Sequence, residues 1–135
     1  MRTRGLGLLA LCVALALFGA ACKSTTKSSG PAKLHVTQVL VRGSGLYIEG
    51  SYSYVRIERD GHRIREVRLT KRSATIRLDS GSYRLVSFQR PCDGNCGYLD
   101  PATDGCREGF DASAGELVEA TVRLTPGRGC TIAFG

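Results

Sequence analysis

Apolar residues recur in this chain at every second position, and no segment sustains the 3.6-residue spacing of a helix face. In Tyr54 to Arg59 (YVRIER), Val55 and Ile57 take one side and Arg56 and Glu58 the other. In Leu117 to Leu124 (LVEATVRL), Val118, Ala120, Val122 and Leu124 share a face. Similar runs cover His35 to Arg42, Leu46 to Ile48, His62 to Leu69, Ala74 to Leu78, Tyr83 to Arg90, Arg107 to Phe110 and Thr131 to Phe134. Turn residues punctuate them: Gly43-Ser44-Gly45, Asp60-Gly61 and Asp79-Ser80-Gly81. Asp-Gly is a strong two-residue hairpin signal, because a type I′ turn needs positive φ at both positions. In the return strand, Ile64 and Val67 fall out of phase, and a bulge near Arg65-Glu66 would bring Val67 and Leu69 to the inner face. Seven or eight short strands with frequent turns predict an all-β, antiparallel Greek-key β-sandwich over residues 33–135, about a hundred residues and therefore one domain.

Leu78-Asp79-Ser80-Gly81-Ser82-Tyr83 follows one alternating strand and opens another. The pattern L-x-x-G-x-Y resembles a tyrosine corner, whose hydroxyl bonds back to upstream backbone and locks a crossing between sheets. From Tyr54 to Phe88 the order is strand, Asp-Gly turn, two strands, this motif and a further strand. It resembles the prealbumin-like domains of carboxypeptidase regulatory regions and adhesin B repeats, with Asp79-Ser80 standing where those carry Pro-Pro. The resemblance implies a stalk, spacer or binding module and carries no activity with it.

The first 22 residues read MRTRGLGLLALCVALALFGAAC. Arg2 and Arg4 precede an apolar run from Leu6 to Phe18, which suits a signal peptide and is short of the ~20 residues that span a bilayer. Gly19-Ala20-Ala21 before Cys22 resembles the bacterial lipobox, with Gly19 where Leu is usual. The resemblance implies cleavage after residue 21, fatty acylation of Cys22, and a cell-membrane anchor on the extracytoplasmic face. Residues 22–32 then form the lipidated cysteine and a flexible polar tether. Cysteine parity agrees. With Cys12 discarded and Cys22 acylated, Cys92, Cys96, Cys106 and Cys130 make an even set, as disulfides of an exported domain require.

These four follow a C-x3-C-x9-C-x23-C spacing and should gather at one end of the sandwich. Of the three pairings, the nested one is favoured: Cys96–Cys106 closing the loop and Cys92–Cys130 tying down the last strand. Zinc is the weaker reading, because C-x2-C knuckles are absent and an exported domain meets oxidants. Calcium is a second alternative: Asp93, Asn95, Asp100 and Asp104 offer oxygens, yet their spacing fits no EF-hand and the bidentate Glu is missing. No metal or other cofactor is therefore expected. The segment RPCDGNCGYLDPATDGC also resembles that of small lipoproteins of actinobacteria, which supports the anchor.

No catalytic signature is present. The two histidines, His35 and His62, stand at a strand start and beside a hairpin turn, and there is no nucleophile elbow, phosphate loop or H-E-x-x-H. Without Arg2 and Arg4, 17 of the 19 basic residues face 12 acidic ones, a net charge of +5. Arg56, Arg59, Arg63, Arg65 and Arg68 lie on alternating strands and are candidate contacts to an anionic surface, with Lys71 and Arg72 close by. A solvated strand face that resists edge pairing is the favoured reading of them, since Glu58, Asp60 and Glu66 dilute the patch. The expectation is a membrane-anchored, non-catalytic binding or structural module. Its partner would be an envelope protein, glycan or anionic polymer, and nucleic acid is not expected in that compartment. The alternative is a small envelope hydrolase whose site carries no signature.

Overall fold

The structure is a computed structural model that describes residues 29–41, 50–92, 96–125 and 129–135, without the side chain at 104. The signal segment, Cys22, the Gly43–Gly45 turn, the Leu46–Ile48 strand, Asp93 and Asn95 lie outside the described residues. Eight strands and no helix occur among the described residues: β1 (Ala32–Leu40), β2 (Ser51–Arg59), β3 (His62–Arg68), β4 (Ser73–Leu78), β5 (Gly81–Pro91), β6 (Thr103–Ala112), β7 (Leu117–Thr125) and β8 (Gly129–Phe134). They form two four-stranded sheets in the orders β4-β1-β7-β8 and β3-β2-β5-β6. The packed pair of sheets is the expected β-sandwich.

The second sheet is antiparallel throughout, but β1 pairs with β7 in parallel, Leu34 opposite Val118 and Val36 opposite Ala120. This corrects the expectation of a wholly antiparallel sandwich. A parallel pair cannot be closed by a hairpin, and here the intervening strands supply the long crossover. Strand β1 also begins three residues before the expected His35, because Ala32 is fully buried and continues the alternation of Leu34 and Val36.

The Asp60-Gly61 hairpin forms as read, with φ of 52° and 78°. The bulge sits one residue earlier than expected. Glu58 faces Arg63 and Ile57 faces Arg65, so Ile64 is the extra residue, and it is 49% exposed. From Arg65 onward the register is regular, with Val67 opposite Val55. Val67 and Leu69 therefore turn inward, and Arg65 takes an inward position on an edge strand, which hinders pairing with another chain.

The core lies where inner faces meet: Leu34, Val36, Val55, Ile57, Ile76, Leu78, Leu85, Val122 and Leu124. Burying each such side chain stabilises the fold by roughly 1.5–3 kcal/mol. Tyr83 closes the crossing from β4 to β5: its hydroxyl donates to the Asp79 carbonyl at 2.8 Å, the expected tyrosine corner. The ring stacks on Phe110, which meets Phe134 of the opposite sheet. Gly81 is at φ 155°, and a Cβ there would stand 3.2 Å from the Arg59 guanidinium.

All four described cysteines lie at one end, as expected, but the pairing is Cys92–Cys96 and Cys106–Cys130. The nested pairing is thus incorrect. Cys106 is on edge strand β6 and Cys130 on edge strand β8, and stacking the two sheets brings these edges together, with Cα atoms 5.4 Å apart. Cys92 follows β5, an interior strand, and finds Cys96 within its own loop, at a Cα separation of 4.9 Å.

Loop size orders the two bonds. Cys106→Ser/Cys130→Ser should destabilise the domain by about 3.5 kcal/mol and Cys92→Ser/Cys96→Ser by about 2 kcal/mol, from separations of 24 and 4 residues. Tyr83→Phe should lower stability by about 1 kcal/mol. Urea unfolding checks all three, with an unchanged m-value expected for Tyr83→Phe.

Candidate functional site

Strand directions divide the sandwich into two ends. The β2–β3, β4–β5 and β6–β7 connections lie at the end where β1 begins, and the Gly115 amide donates to the Gly30 carbonyl there. The opposite end, called distal below, carries the β3–β4 crossing and the four cysteines.

The inner faces change character along this axis. Towards the distal end, Gln38 follows Leu34 and Val36 on β1, Ser53 and Ser51 replace the apolar positions of β2, and Ser87 and Gln89 follow Leu85 on β5. Gln38, Ser87 and Gln89 are 5%, 1% and 1% exposed. Ser53 Oγ donates to Gln38 Oε1 at 2.9 Å, and Ser51 Oγ donates to Gln89 Oε1 at 3.1 Å. Among the described residues, the Gln38 side-chain nitrogen and the Ser87 hydroxyl have no hydrogen-bond partner. An unsatisfied buried donor costs about 1–3 kcal/mol, so a polar interior of this kind does not arise from packing alone.

Gln38, Ser51, Ser53 and Gln89 line a cavity of about 390 Å3, together with Leu40, Tyr52, Leu69, Lys71 and Arg72. The segment between β3 and β4 forms its rim. The Leu69 backbone N–H donates to Ser53 O on one sheet, and the Gln38 backbone N–H donates to Arg72 O on the other, both at 2.8 Å. Between these anchors Thr70 and Ser73 exchange backbone hydrogen bonds across a two-residue turn, with Lys71 at φ 51° and Arg72 at φ 63°. Two successive left-handed residues are the territory of Asn-Gly, and large side chains there are strained. Such strain is concentrated at functional positions. No carboxylate pairs with Lys71 or Arg72 among the described residues.

The five arginines expected at an anionic surface do not form one patch. Arg56 lies between Glu66 at 3.1 Å and Glu58 at 3.7 Å, over the Phe88 ring. Arg63 also reaches Glu66, and Arg84 reaches Glu58, so three of the outer-face arginines share two carboxylates. Arg68 covers Tyr52 at 4.6 Å. Arg59 covers Tyr83, and with Arg65 it lines a separate hollow shared with Arg77 and Asp79 at the end where β1 begins. His35 hydrogen-bonds Thr75 across the β1–β4 pair, a structural contact on an exposed face. All four cysteine sulfurs of the domain are spent in S–S bonds.

Sequence reading passed over Gln38, Ser51, Ser53 and Gln89 as members of a site, although a signal was present. Each falls in phase with buried apolar neighbours, where alternation calls for a hydrophobe. Lys71-Arg72 also gave no turn signal, since neither residue favours one.

No protein family, characterised protein or solved structure matches this chain.

The turn yields a direct test. Lys71→Asn/Arg72→Gly should stabilise the domain by about 1–2 kcal/mol, because both replacements tolerate left-handed φ. An upward shift of the urea midpoint checks it.

Proposed function

We propose that this chain is a lipid-anchored, extracytoplasmic, non-catalytic module that presents the distal pocket to ligands of the cell envelope. The domain is read as a Greek-key sandwich of the prealbumin-like type. Support for that type comes from the tyrosine corner at Tyr83 and from strands β5 and β7, which return through the other sheet to lie beside β2 and β1. Anchoring is read at Cys22, from the signal segment and its small-residue run.

The observation that carries the reading is the placement of the chain entry. Strand β1 begins at Ala32 at the end of the sandwich opposite the pocket. If Lys23 to Pro31 behaves as the flexible tether its composition suggests, it would reach roughly 15–20 Å. A nine-residue strand adds about 30 Å beyond it. A domain held by Cys22 thus turns the strained turn, the polar cavity and Tyr98, which is 81% exposed on the cysteine loop, away from the bilayer. A binding role also fits the carboxylates Glu58 and Asp60. They share a hollow but are committed to Arg56, Arg84 and Arg59 rather than poised as an acid–base pair.

From Pro31 onward the chain has two lysines, Lys33 near the chain entry and Lys71 on the distal turn, both exposed. On intact cells, a membrane-impermeant amine reagent should modify Lys71 as fast in the anchored protein as in detergent-released protein, and Lys33 several-fold more slowly. Protection of Lys71 instead would reverse the orientation. Cys22→Ala should abolish fatty-acid labelling and release the protein to the medium. Retention of both label and membrane association would remove the anchor.

A further inference from the structure

We infer that the distal cavity binds a sugar acid: a pyranose-sized, hydroxyl-rich ligand bearing one carboxylate. The inference rests on the reading of this end as a binding surface and names what it would bind.

The cavity volume of about 390 Å3 falls within the ~300–1,000 Å3 of small-molecule sites. Its walls supply three kinds of contact. Lys71 and Arg72 are adjacent cations without a carboxylate partner among the described residues, held at the rim by a conformation that disfavours both side chains. A guanidinium fork beside an ammonium suits a planar carboxylate. Gln38 adds a buried neutral amide to the wall. The Ser51 and Ser53 hydroxyls donate to glutamine oxygens, which leaves their own lone pairs as acceptors for ligand hydroxyls. Leu40, Leu69 and the Tyr52 ring, itself covered by Arg68, give apolar surface for the C–H face of a ring. Among the described residues, neutral polar groups outnumber cations in this lining. A small, highly charged anion would leave most of them unused, and a neutral sugar would leave the two cations unpaired.

The test is titration of the full chain in nonionic detergent with D-glucuronate, D-glucose and inorganic phosphate, followed through the Gln38 side-chain amide resonances. Glucuronate should shift them saturably and slow acylation of Lys71, while glucose and phosphate bind at least tenfold more weakly. Lys71→Asn/Arg72→Gly should weaken glucuronate binding at least tenfold in a protein that melts no lower than the parent, which separates lost contacts from lost folding. Gln38→Glu, which places a negative charge against the carboxylate, should weaken it similarly. Equal affinity for glucose or phosphate, absence of a saturable shift, or undiminished binding by the Lys71/Arg72 variant would overturn the proposal. The lysine footprint on cells uses no ligand, so the orientation and the ligand class fail independently.

Discussion

Alternate residues of β1, β2, β4, β5 and β7 bury against one another between two sheets, and every other feature is arranged around that contact. With one face of each strand turned inward, a shift of one residue would expose the whole apolar set, so register is strongly specified. The bulge at Ile64 shows the constraint in operation. One surplus residue is pushed out to solvent so that Val67 and Leu69 keep their inward positions. The β1–β7 pair follows the same logic. Leu34 and Val36 meet Val118 and Ala120 across a parallel ladder that no local turn could have produced.

The inter-sheet contact is not uniform. Near the chain entry it is apolar and closed by Tyr83, Phe110 and Phe134. Towards the distal end the same inner positions are filled by Gln38, Ser51, Ser53, Ser87 and Gln89, which contribute little hydrophobic stabilisation. The two disulfides lie at that weaker end, and Cys106–Cys130 joins an edge strand of one sheet to an edge strand of the other. Covalent closure there offsets part of what the polar interior gives up. The strained Lys71-Arg72 turn belongs to the same trade. It carries two cations where Asn-Gly would be more stable, and the anchors at Leu69 and Gln38 hold it in place.

Much was legible along the chain because it depends on near neighbours. Alternation in YVRIER and LVEATVRL, the Asp60-Gly61 turn and the Leu78-to-Tyr83 corner each involve residues a few positions apart, and each stands in the structure as read. The even set of cysteines was enough to expect two disulfides. Which sheet a strand joins, and next to which neighbour, depends on how the whole chain packs. For that reason the parallel β1–β7 pair and the Cys106–Cys130 bond between edge strands were decided only by tertiary structure. The pocket is of the same kind. Gln38, Ser53, Lys71 and Gln89 are scattered over 52 positions and converge because three strands and a crossing end at the same place. The arginines between Arg56 and Arg68 make the converse point: near in sequence, they are divided among faces by the pleat and the bulge, and Glu58 and Glu66 meet Arg56 through cross-strand and same-face geometry that spacing alone does not determine.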